Sequence, residues 1–366
     1  MAARFFGITS SRQHEFELHN PALSEELRIR DILDGIGVMT SGAFVAAYEL
    51  SGIYSYYHTE EQRNRAKESL EAVLRSMPDG KLNLLPFDAL RDSKGRFVLE
   101  SRVVTYAPSA TVLFLLRQSS SADRATRNFL GVGGVAYSSP GEDGSTGGPQ
   151  KANSIADFFG LDAVRFPDLP GSTQEVVEAA RITQGSNQLL LHRDATEAAF
   201  KALPLADFRI IHLAVHGLAN TAFPDRAALV LSAAPSSEED GLLQAREIRD
   251  LSLDAELVTL SACDTGTGRL LGQEGIASLE RAFLLAGAKS VIASLWPADD
   301  TFTIALMKRM YQHLADGSDK GNALRQAKLD LLKEFGAQAL PVYWAGFTLV
   351  GDGATTIFDG AAESRN

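Results

Sequence analysis

From about residue 129 onward, short apolar runs alternate with longer amphipathic stretches. FLGVGGVAY, NQLLLH, FRIIHLAV, ELVTLSAC, SVIASLW and WAGFTLVG read as strands, and residues 173–184, 195–203, 244–250, 274–287, 301–315 and 321–335 carry helical spacing. In the helix at 301–315, Ile304, Leu306, Met307 and Met310 fall on one side, as core packing requires. Apolar strands separated by helices predict a mostly parallel sheet covered on both faces. Reactive groups in such sheets lie beyond the carboxyl ends of the strands.

Upstream the pattern is weaker. Residues 1–58 read as irregular or mixed structure. Residues 60–77 predict an amphipathic helix, with Leu70, Val73, Leu74 and Met77 at helical spacing and Pro78-Asp79-Gly80 as its stop. After KLNLLPFDAL, the run FVLESRVVTYAP predicts a hairpin, followed by an apolar helix from Ser109 to Arg117. Residues 138–149 are almost wholly turn formers and predict a loop. The loop 232–241, SAAPSSEEDG, predicts a solvated hairpin connection. No repeat of about 34 residues marks a helical array. The expected organisation is an extension of unknown role at 1–77, an upstream part at 78–128, and a main domain at 129–366.

Composition narrows the function classes. The chain has 366 residues, 45% apolar and 22% charged, which is that of a globular protein. A net charge of −11 gives no general attraction to nucleic acid or anionic membrane. A single cysteine permits no internal disulfide and fits a reducing compartment, so a cytoplasmic location is expected. The N-terminus lacks the apolar core of a signal peptide. The most apolar stretch, 103–116, is too short and too interrupted to span a bilayer.

Two strands run into chemically useful residues: FRIIHLAV into His216-Gly217, and ELVTLSA into Cys263-Asp264. If those strands are neighbours, a thiol and an imidazole face one crevice. The sulfur can then attack a carbonyl while the imidazole manages protons. The backbone N–H groups of Gly217 and Cys263 are the candidate oxyanion donors. Ser261 has the parity of Cys263 and is expected to line the substrate pocket. His212 is expected to be buried within its strand, its nitrogens satisfied locally. A zinc set is not expected, because only one thiolate is available. Gly131, Gly133 and Gly134 lie within a strand rather than after it, so no nucleotide is expected. No cofactor is called for.

The runs HLAVHG, LVTLSACDTGTG, GQEGIASLERAFLLAGAKSVIASLWPADD and ALRQAKLDLL resemble the CHAT domain, a caspase- and separase-related cysteine peptidase domain. PDGKLNLLPFDAL, VVTYAPSATVLFLLR, LPGSTQEV and DATEAAFKAL extend the resemblance upstream, so that it covers about residues 78–352 in the family's order. The 47 residues between His216 and Cys263 are close to the roughly 50 of caspases. The resemblance implies an α/β, caspase-like three-layer sandwich preceded by a degenerate pseudo-caspase-like part. It implies a Cys263–His216 dyad cleaving a specific protein substrate, in a bacterial defence or cell-death pathway. Val215 and Asp264 stand where the family more often has Thr and Glu.

By likeness to separases, Asp300, with Asp299 beside it and Trp296 leading into the same loop, is a candidate for binding a basic P1 residue. An equal reading makes one of the aspartates the cap of the helix at 301–315. The glycine-rich loop after the cysteine resembles a mobile activation loop, with Arg269 or Leu271 as a self-cleavage point. Expected partners are a protein substrate, encoded nearby, and an activating protein. The rivals are a catalytically silent scaffold that binds a partner, and an acyltransferase using the same dyad.

Overall fold

The computed structural model describes the strands at 29–33, 36–39 and 44–46, and residues 86–92, 94–118, 125–137, 166–218, 226–232, 239–261, 273–296 and 299–358. The expected helix at 60–77 and loop at 138–149 lie outside these. Strands β1 (Ile29–Leu33), β2 (Ile36–Met39) and β3 (Phe44–Ala46) pair antiparallel in that order, where only weak patterning was legible.

The main sheet contains β4 (Arg127–Gly133), β5 (Asn187–Leu191), β6 (Phe208–Leu213), β10 (Leu257–Leu260), β11 (Ser290–Ser294) and β12 (Phe347–Gly351). Its order is β12-β11-β10-β6-β4-β5, parallel throughout except for β12 against β11. Strands β7 (His216–Leu218), β8 (Ala228–Val230) and β9 (Leu242–Gln244) form a separate antiparallel sheet in which β7 is an outer strand. The connection at 232–241 thus joins the paired strands β8 and β9, as a hairpin loop should.

The two-residue period of each strand sorts its side chains onto two faces. Leu130, Val132, Ile211, Leu213, Val258, Leu260, Val291 and Ala293 enter one core cluster. Phe129, Ile210, Leu257 and Ile292 enter the other. The first face is covered by α4 (Glu197–Lys201), α5 (Ala245–Ile248) and α6 (Gln273–Ala286). The second is covered by α3 (Pro170–Thr183), α7 (Asp300–Ala315) and α8 (Lys320–Phe335). The result is a three-layer α/β sandwich. Gly133 lets α3 sit on the carboxyl end of β4: a Cβ there would meet the Ser172 carbonyl oxygen at 2.7 Å.

The hairpin expected at 97–108 does not form. Val98–Ser101 is a helical turn, α1, because Glu100 Oε1 accepts the Phe97 N–H at 2.8 Å and closes the turn locally. The extended residues that follow pair with a distant strand instead of with 97–101. Tyr106 N donates to Leu349 O and Gly351 N to Tyr106 O, both at 2.8 Å, which joins this segment to β12. The next helix, α2 (Ala110–Gln118), falls where apolar spacing placed it.

Glu280 on α6 is an oddity of the core. It is 4% exposed, its Oε1 has no hydrogen-bond partner, and burial pushes its carboxyl up to about 8. The unfolded chain therefore ionises this group near pH 4.5, whereas the folded chain holds the proton until about pH 8. Its contribution to stability is complete at low pH and is lost as pH rises through that interval. Glu280→Gln, a mimic of the neutral acid, is expected to match the wild type at pH 4 and to exceed it by at least about 1 kcal/mol at pH 8. Thermal melts across pH check this; a gain of equal size at both pH values would contradict it.

Candidate active site around His216

Strands β6 and β10 are neighbours, with Leu213 opposite Leu260. Ser261 N then donates to Leu213 O at 3.0 Å, so the pairing continues one step beyond the strand ends. His216 and Cys263 each follow their member of this register pair by three positions. Cys263 itself, with Arg269 and Leu271, lies outside the described residues.

His216 opens β7 rather than ending β6, which stops at Leu213. It is 1% exposed. Its Nε2 lies 2.7 Å from the Pro167 carbonyl oxygen. A carbonyl only accepts, so this nitrogen donates, and in the neutral ring the lone pair is then on Nδ1. Two rings brace the imidazole: Tyr137 at 4.5 Å and Phe166 at 5.4 Å between centroids.

Gly217 is oriented by its neighbours. His216 pairs with Val230 across β7 and β8, and Tyr137 Oη bonds to both. It accepts the His216 N–H at 3.0 Å and donates to Val230 O at 3.0 Å. A single hydroxyl can link these groups only if both point across the strand pair. Alternation then turns the Gly217 N–H the other way, away from β8.

Beside this lies a small crevice whose walls include Ser172, Glu175, Ser261, Asp300 and Thr303. Ser261 Oγ and Thr303 Oγ1 are buried without a hydrogen-bond partner. Burial raises the Asp300 carboxyl above its ordinary range, and the carboxylates of Asp299 and Glu175 raise it further, against a lowering by His216. Asp299 is the helix cap: its Oδ1 accepts Thr301 N at 3.0 Å and Phe302 N at 3.2 Å. The capping role and the pocket-facing role thus fall on different aspartates. Trp296 sits in the core, its indole N–H donated to Val342 O at 2.7 Å.

His212 is fully buried, as expected, with Nδ1 3.0 Å from Tyr311 Oη, which in turn donates to Thr259 Oγ1 at 3.0 Å. Glu175 Oε1 lies 3.0 Å from His212 Nε2, near in distance but off the hydrogen-bond direction.

Among the described residues, Glu197, Glu239 and Glu247 form an acidic group with metal-ligand spacing. Lys201 Nζ occupies its centre at 2.7, 2.7 and 3.3 Å, so a side-chain cation meets that charge.

Sequence reasoning missed Pro167, Phe166, Tyr137 and Glu175. Tyr137 closes the expected strand FLGVGGVAY, and a polar ring at a strand's carboxyl end was the available signal. Pro167 acts through its carbonyl, which no residue type advertises.

The CHAT domain profile matches residues 52–352, beginning upstream of the boundary expected at 78. A segment of 110 residues is 36% identical to tetratricopeptide repeat protein 28 of Mus musculus; it makes up 30% of this chain and 4% of that protein. Among solved structures, a separase–securin complex of Saccharomyces cerevisiae is similar at 14% identity and a TM-score of 0.42, over 75% of this chain and 15% of that one. The Arg-specific cysteine proteinase gingipain R is similar at 12% identity and a TM-score of 0.36, over 65% of this chain and 49% of that one. With most of its length matched by the profile, the chain belongs to the CHAT domain family.

Proposed function

We propose that the protein is a cysteine endopeptidase using a Cys263–His216 dyad on one or a few protein targets. The observation that carries this is the His216 imidazole, whose Nε2 is anchored on Pro167 O beside the strand that leads to the chain's single cysteine. In this reaction His216 takes the Cys263 thiol proton, and the sulfur attacks the carbonyl carbon of P1. The N–H groups of Gly217 and Cys263 hold the resulting oxyanion. His216 then gives its proton to the leaving amine as the C–N bond breaks, leaving a thioester. Water, deprotonated by His216, hydrolyses the thioester and restores the thiol.

The crevice supports a finer proposal, a basic P1 residue. Glu175 and Asp300 border it with two hydroxyls lacking partners, a set suited to a cation that donates several hydrogen bonds. Self-cleavage at Arg269 or Leu271, control by an activating partner, and a role in defence or cell death rest on the family resemblance. A cytoplasmic location rests on the single cysteine, which fits a reducing compartment; among the described residues no helix is long and apolar enough to cross a membrane.

Peptides varied at P1, offered to the protein and to Cys263→Ala, test the reading. Cleavage after Arg or Lys is expected, absent from Cys263→Ala. Asp300→Asn should lower kcat/KM on those peptides by about 10- to 100-fold, the worth of one charge-assisted bond. Cleavage after leucine, indifferent to Asp300, would overturn the basic pocket; silence from both proteins, with and without candidate activators, would favour a scaffold.

A further inference from the structure

We propose that Tyr137 is a positioning residue for this site: its hydroxyl, bonded to both His216 N–H and Val230 C=O, holds the strand that carries the Gly217 N–H, and its ring braces the His216 imidazole. The catalytic consequence rests on the cysteine-peptidase reading, while the geometric one stands without it.

Five contacts converge on this side chain and its backbone. The hydroxyl takes one bond from β7 and gives one to β8, each at 3.0 Å. His216 and Val230 are register partners across β7 and β8, so the hydroxyl ties Tyr137 to both strands at the residue that carries the imidazole. The ring lies 4.5 Å from the imidazole and 5.9 Å from Phe166. The Tyr137 N–H donates to Asp168 Oδ1 at 3.3 Å, next in sequence to the carbonyl that anchors His216 Nε2. One residue thus ties together the imidazole's anchor, its packing and the strand that presents the oxyanion donor.

The hydroxyl's environment fits a fixed relay rather than an acid. Burial holds the phenol well above its ordinary range, so it stays protonated and keeps both bonds at working pH. Without the hydroxyl, β7 and β8 lose their shared tie to Tyr137, so the backbone that carries the imidazole and the Gly217 N–H is held by fewer bonds. The apolar packing of a phenylalanine ring is retained.

Tyr137→Phe in the full chain tests this with two independent readouts. In protein labelled with 15N-histidine and 15N-glycine, the His216 and Gly217 amide signals are expected to shift while those of glycines far from β7 stay in place. Unchanged His216 and Gly217 signals would overturn the proposal whether or not the protein is a peptidase. In the kinetic arm, kcat for amide hydrolysis should fall about 10- to 100-fold, less than the 10²–10³ of removing an oxyanion donor outright, with KM moved little. Alkylation of Cys263 by iodoacetamide develops no oxyanion and should stay within about twofold of wild type, since it follows thiolate content alone. Equal losses in both reactions would reduce Tyr137 to a general structural residue. A wild type that neither hydrolyses peptides nor shows His216-dependent alkylation would sink the peptidase reading alone, leaving the amide signals to decide the role of Tyr137.

Discussion

His216→Ala is expected to lower kcat/KM for peptide hydrolysis by about 10²- to 10⁴-fold, the range of a positioned acid–base group. The loss should appear mainly in kcat, because the imidazole handles protons and does not line the crevice. Two effects combine. The thiol loses the base that makes it a thiolate near neutrality, and the departing amine loses its proton donor. A more basic medium supplies the first and not the second. Iodoacetamide alkylation of Cys263 should therefore be slow in His216→Ala at pH 7 and recover by pH 9, while amide hydrolysis stays impaired. A variant hydrolysing at the wild-type rate would remove His216 from the reaction.

Lys328→Met is expected to cost about 3–5 kcal/mol of stability. Lys328 is 2% exposed; its Nζ donates to Asp88 Oδ2 and to Phe347 O, the latter at 2.6 Å, and it lies over the Trp344 ring. It joins three elements remote in sequence: the PFDAL segment, helix α8 and edge strand β12. Burial pushes the Asp88 carboxyl above its ordinary range even with the lysine present. Without the lysine, Asp88 must stay charged and unpaired or take up a proton, and both cost stability. The double variant Asp88→Leu/Lys328→Met should recover much of the loss, because no lone buried charge remains. Thermal and denaturant melts of both singles and the double measure the coupling. A Lys328→Met protein within 1 kcal/mol of wild type would contradict this account of the pair.

The same pair shows where reading along the chain stops. Leu257, Val258 and Leu260, or Ile210, Ile211 and Leu213, reveal buried strands by their apolar character alone. Asp88 and Lys328 look like ordinary surface charges, because the counter-ion of each lies 240 positions away. The misplaced hairpin at 97–108 has the same origin: alternation near Tyr106 was real, but its partner was Val350. In contrast, the helix expected at 301–315 was legible to within a residue of its start, since capping by an aspartate is local chemistry, although local pattern does not tell which of the two aspartates caps.

Sequence alone determined the layer order, because a two-residue period and a helical period are local properties of the chain. It also singled out the two residues proposed here as a dyad, because each follows an apolar strand run. The tertiary structure decided that β6 and β10 are neighbours, which makes the equal offsets of the two residues meaningful. It decided that Asp300 borders the crevice while Asp299 caps, and that Pro167 and Tyr137 bond to His216. These outcomes depend on which backbone groups meet across space. Such a group carries the same chemistry at every position, so its role is set by its partner and cannot be read from its own residue.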